Sequence, residues 1–204
     1  MSGCCDQGCA PDALLKRQRG TLRVVLAINA VMFAVIVAAA LYGGSSALLS
    51  DSLDNFGDAL TYGLSLYAVS RGRADKARVA LFKGMLILIA ASAVVVQIIW
   101  KLRAPTLPMF EVMGAFSLLG LAANGLCLFF LSRHRHEDVN MSSVWECSRN
   151  DIASNLSVFV AAGLVEITDS GWPDLAVASC LALLLLRSAV RVIVSARAEL
   201  AAAA

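Results

Sequence analysis

The chain has 204 residues, of which 59% are hydrophobic and 16% charged, with a mean hydropathy of +0.74 and a net charge of +2. A soluble domain carries about 25% charged residues, so the composition excludes an ordinary soluble fold and indicates an integral membrane protein. The small charge, spread in short groups, excludes a nucleic-acid partner. Six cysteines (Cys4, Cys5, Cys9, Cys127, Cys147 and Cys180) crowd the first nine residues or lie in apolar segments, which is no disulfide framework.

Residues 1–20 read as a polar tail carrying three cysteines and then Lys16, Arg17 and Arg19. A secretory signal would end in a small-residue cleavage site after a short apolar stretch. Here the apolar run from Val24 to Leu41 is long enough to span a bilayer and ends in Tyr42-Gly43-Gly44-Ser45-Ser46. It is read as a first transmembrane helix that is kept. Further candidates follow at roughly 47–70, 79–101, 109–132, 142–166 and 172–196, joined by short loops. The expected fold is an all-α membrane protein of six transmembrane helices, with a transport domain over 21–198 and a short tail over 199–204.

Charge asymmetry orients the helices. Fourteen of the seventeen Lys and Arg fall before the first helix, in the second and fourth loops, or towards the carboxyl end. Lys83 is counted in the second loop. The opposite side holds Lys101 and Arg103 with Glu111, Asp169 and Asp174, and Arg149 lies within the fifth helix. The positive-inside rule then puts both termini in the cytoplasm. Cys4, Cys5 and Cys9 thereby face a reducing compartment and stay thiols. They either capture a soft or borderline ion or belong to an incidental tail.

The second helix carries Ser50-Asp51-Ser52-Leu53-Asp54-Asn55-Phe56-Gly57-Asp58. Each ionisable group inside a bilayer costs roughly 2.5–3.5 kcal/mol, so three carboxylates require an ion, a partner or a polar cavity. Asp54 and Asp58 are four apart and share one helix face. The fifth helix opens on Cys147-Ser148-Arg149-Asn150-Asp151, with Cys147 and Asp151 again four apart. The two helices run antiparallel, and at about 1.5 Å per residue Asp58 and Asp151 both fall near the bilayer middle. Asp54, Asp58, Cys147 and Asp151 then form a candidate site for a divalent ion of the zinc group. An empty apolar-walled cavity cannot hold all four ligands deprotonated, so metal binding must expel protons. That is a physical basis for cation–proton exchange.

Other residues take lesser places. Asp51 is expected near the outer mouth as a supporting or exit group, and Glu146 pairs with Arg149. Asn29, Asn55, Asn150 and Asn155 are interhelical hydrogen-bonders. The loop His134-x-His136-Glu137-Asp138 either recruits metal or is a short solvated turn.

The run Gly44-Ser45-Ser46-Ala47-Leu48-Leu49-Ser50-Asp51-Ser52-Leu53-Asp54-x3-Asp58, with Cys147-x3-Asp151-x3-Asn155 and Pro173-Asp174, resembles the signature of the cation diffusion facilitator family. The resemblance covers the membrane region. It implies a homodimeric secondary transporter of the cell membrane, exporting a zinc- or cadmium-like cation from the cytoplasm in exchange for protons. The cation is substrate, and no cofactor is expected. The first ligand is Asp54 and the third Cys147 where the family often has His. The cytoplasmic domain that usually follows the sixth helix is not expected here. Two other readings are a regulatory membrane subunit that binds metal without moving it, and a thiol-dependent carrier of mercuric or cuprous ions. No nucleophile–base or nucleotide motif indicates an enzyme.

Overall fold

The computed structural model describes residues 6–68, 73–132 and 139–202, without the side chains of 6–18, 65, 67–68, 73–76, 139–150 and 202. Six helices account for nearly all of it. They are α1 (Asp6–Gly43), α2 (Ser46–Ala68), α3 (Arg73–Arg103), α4 (Phe110–Ser132), α5 (Val139–Thr168) and α6 (Trp172–Ala202). Both outer helices run further than expected. α1 starts at Asp6, inside the stretch read as a tail, and α6 continues to Ala202. The added segments (Ala13-Leu14-Leu15-Lys16-Arg17-Gln18-Arg19 and Ala196-Arg197-Ala198-Glu199-Leu200-Ala201-Ala202) are built from strong helix formers.

The helices α1 and α4 each turn a narrow stripe inward. On α1 the buried positions are Leu22, Val25, Asn29, Met32 and Ile36. On α4 they are Met113, Ser117, Gly120, Asn124, Cys127 and Leu131. Both follow the three–four spacing of one helix face. The α4 stripe includes the small residues Ser117 and Gly120, which let helix backbones approach closely in a membrane. A Cβ on Gly120 would overlap the side-chain oxygen of Asn155 on α5. One on Gly84 of α3 would lie 2.8 Å from Ile193 Cγ1 of α6. These are the seams of the α4–α5 and α3–α6 pairs, two of the three most extensive helix contacts, with α1–α2.

Five helices are long and apolar enough to cross a membrane, and α2 is not among them. At 23 residues it has the length, but Asp51, Asp54 and Asp58 lower its hydropathy. Its position explains how that is tolerated. α2 is the one helix that contacts all five others. The other five each expose large apolar side chains, such as Val31, Ile89, Phe129, Ile167 and Leu183, whereas α2 exposes none among the described residues. The other helices face lipid, so their outward surfaces must be apolar. α2 packs against every other helix and can carry charge.

One end of the bundle is tightly tied. Gly44 takes a left-handed conformation (φ 62°) that turns the chain from α1 into α2. Ser45 caps α2, its hydroxyl accepting from the Leu48 N–H at 3.0 Å. Asp174, from the first turn of α6, accepts from the Ser45 hydroxyl at 2.6 Å and from the N–H groups of Ser46 and Ala47 at 2.9 Å each. Lys101 of α3 pairs with the same carboxylate at 3.3 Å and donates to the Gly44 carbonyl. The Met109 N–H donates to the Gly43 carbonyl at 2.8 Å, tying the α3–α4 connection to the same corner.

Candidate cation site

Because α2 is enclosed, its acidic stripe points into the bundle rather than into lipid. Asp51 and Asp58 are buried and Asp54 is half-buried. The Asp58 carboxyl is hydrogen-bonded to that of Asp151 on α5. Two carboxyl groups in that contact need a proton or a cation between them. Asp54, one turn back along α2, lies beside Ser154 of α5. Four residues along α2 thus match three residues back along α5, the register of two antiparallel helices in contact. The level of Asp58 with Asp151 follows from the same count of helix rise used on the sequence.

Other elements hold these groups in place. Tyr62, fully buried one turn beyond Asp58, donates its hydroxyl to Asp58 Oδ2. The Asn155 amide donates to the Asp151 backbone carbonyl at 2.8 Å. Lys83 is not a loop residue but lies ten residues into α3. Its ammonium donates to the Thr61 hydroxyl, and its charge acts on Asp58. Thr61 is one turn from Asp58 on α2, which puts a fixed cation beside the carboxylates.

Several expectations need correction. Asp51 is not at a mouth: it is fully buried, with no partner for either carboxylate oxygen among the described residues. Asn155 bonds within its own helix, and neither polar atom of the Asn55 amide has a described partner. Asn29 does bond across helices, donating to Cys127 Sγ of α4 at 3.7 Å. Cys127 was passed over in the sequence because it sits in an unbroken apolar run. It is fully buried and packs with Tyr62, which contacts Asp58. Its only signal was the i, i+3 relation to Asn124 on the α4 stripe.

Cys147 and Glu146 lie on α5, but their side chains are outside the described residues, as are that of Cys9 and the whole of Cys4, Cys5, His134 and His136. The α5 backbone puts position 147 one turn from Asp151 towards the start of the helix. Among the described residues, no three His, Cys, Asp or Glu side chains are gathered closely enough to hold a metal ion. The described part of the site is therefore a carboxyl pair, Asp58 and Asp151, with Asp54 one turn away.

The carboxylates have a closed side and an open side. Leu22, Val25, Tyr62, Cys127 and Leu131 pack into a small apolar cluster beyond Asp58. Asp54 and Asp151 instead line a cavity of about 720 Å³ between α5 and α6, with Ser154, Ser157, Leu181 and Arg187. This arrangement offers hard oxygen donors and a path to them within one bundle.

The family model described as the cation efflux transmembrane domain matches residues 22–201. That range includes every described carboxylate of the site. No curated protein matches the chain.

Proposed function

This chain belongs to the cation efflux family of membrane metal-cation transporters, and from that premise we propose that it carries a divalent, zinc- or cadmium-like ion out of the cytoplasm in exchange for protons. The ion binds between α2 and α5 on Asp54, Asp58 and Asp151, with Cys147 as the fourth ligand. Three carboxylates and a thiolate suit a tetrahedral divalent ion of borderline softness. Asp51, further along the buried stripe of α2, takes the ion on its way outward.

The observation that carries this function is the meeting of two buried carboxyls, Asp58 and Asp151, from the contacting helices α2 and α5. Without a cation, two carboxyls this close hold a proton between them, so metal and proton compete for one place. α2 is the sixth span, shielded from lipid by the other five, and both ends of the chain are cytoplasmic. The protein works as a homodimer in the cell membrane.

Vesicles containing the purified protein and a metal-sensitive dye test this directly. Zinc or cadmium influx should require the protein and should move protons the other way. Flux that persists unchanged in Asp58→Ala or Asp151→Ala would remove the site.

A further inference from the structure

Helix α6 carries Arg187 inside its apolar span Trp172–Ala201, directly after the apolar run 181–186. Two contacts fix its depth. The Ser46 N–H donates to Asp174 and the Ser50 hydroxyl to the Ala178 carbonyl, each across 128 residues of chain. A constant offset means that α2 and α6 run side by side in the same direction. Carried along both helices, that register sets Asp58 level with Leu186. Arg187 is then within one residue of the Asp58 level, about 1.5 Å of rise. It also lines the α5–α6 cavity together with Asp54 and Asp151. Arg191, one turn further on, is shared with a second groove against Ala77 and Ala80 of α3.

A guanidinium does not give up its proton inside a protein, and within a membrane span it needs an anion to face. The anions lining this cavity are Asp54 and Asp151. Arg187 makes no direct ion pair with them among the described residues, where the buried pair is Lys101–Asp174. It therefore stands across the cavity from the carboxylates rather than against them. Lys83, the other cation near the site, is tied to Thr61 of α2. A guanidinium matches a carboxylate through two parallel hydrogen bonds, so Arg187 and a metal ion want the same oxygens.

We propose that Arg187 is a tethered cation that competes with the transported ion for Asp54 and Asp151. When the site holds no metal, its guanidinium swings across the cavity and pairs with these carboxylates. An incoming divalent ion displaces it. The tether also sets specificity, because a divalent ion is attracted to the carboxylates twice as strongly as a monovalent one at the same distance. A monovalent ion gains nothing over the arginine already present. This inference rests on the cation site proposed above.

The test is zinc binding to the full chain in detergent, measured by titration calorimetry at one fixed pH. Removing a unit charge across a partly polar cavity should tighten binding roughly tenfold in Arg187→Gln. Arg197→Gln, a change on α6 outside the cavity, should leave it unchanged. In Arg187→Ala, millimolar guanidinium chloride should weaken zinc binding back towards the parent value, while potassium chloride at the same concentration does not. The parent, whose own arginine fills that place, should not respond to guanidinium. Unchanged or weaker binding in Arg187→Gln, or no guanidinium effect in Arg187→Ala, would overturn the tether. Arg187→Lys keeps the charge but loses the two-pronged fit, so its affinity should fall between parent and glutamine variant. It decides the matter if the neutral variants fail to fold, and an affinity equal to the parent's then counts against the tether. Asp58→Asn, measured alongside, separates the two readings. If it binds zinc like the parent, the cation site itself is wrong. If it binds weakly while Arg187→Gln is unaltered, the tether alone is removed.

Discussion

Asp174 and Lys101 form a buried ion pair at 3.3 Å, with the aspartate fully buried and the lysine 4% exposed, and the same carboxylate caps the first turn of α2. One side chain thus joins α3, α6 and the start of the acidic helix. The capping N–H groups sit at the positive end of the helix dipole, which further favours a carboxylate there. Asp51, Asp54 and Asp58 all follow within about three turns of that anchor, so it sets their depth in the bundle.

Removing one member of a buried pair strands the other. Asp174→Ala should destabilise the protein by about 3–5 kcal/mol, read as a lowered melting point in detergent. Asp174→Leu/Lys101→Met, which removes both charges, should recover much of the loss. A single variant that melts like the parent would show that this corner holds nothing together.

The Tyr62 hydroxyl donates to Asp58 and orients it. Groups that orient a metal ligand typically contribute 10–100-fold in affinity. Tyr62→Phe should weaken cation binding by about that factor, measured by titration calorimetry, with the fold intact by circular dichroism. Asp58→Asn should cost more, since it removes a donor oxygen rather than its support. Both the parent and Tyr62→Phe should bind metal more weakly as pH falls, because protons then hold the carboxyl pair. Affinity independent of pH would contradict competition for a shared proton.

Lys83 adds a positive charge beside Asp58. Replacing it with Met leaves the carboxylates more negative and should tighten cation binding several-fold, by roughly 1 kcal/mol for a charge near a partly polar site. Lys83→Arg should behave like the parent. Weaker binding in Lys83→Met would mean that the ammonium acts as a structural prop for Thr61 and not through its charge.

Gly120 faces Asn155, with no room for a side chain between them. Gly120→Ala must push Asn155 aside and should cost about 1–3 kcal/mol, as overpacking does. Because Asn155 bonds the Asp151 carbonyl, the shift should reach the site as weaker cation binding too. A variant as stable as the parent would show that the α4–α5 seam is looser than this contact implies.

Composition and spacing alone determined that the protein is helical and membrane-embedded, where its helices lie to within a few residues at most ends, and that Asp58 and Asp151 share a level. Those properties are one-dimensional: hydropathy counts residues exposed to lipid, and helix rise converts sequence distance into depth. Tertiary structure decided which helix stands in the middle. An acidic helix is costly against lipid and tolerated against protein, and only packing distinguishes the two surroundings. It also took Lys83 out of a loop and set it beside Asp58, and it moved Asp51 from a mouth into the interior. Asp174 became the cap of a helix more than a hundred residues earlier in the chain. Such contacts leave no period in the sequence, because they join residues whose only relation is that the fold makes them neighbours.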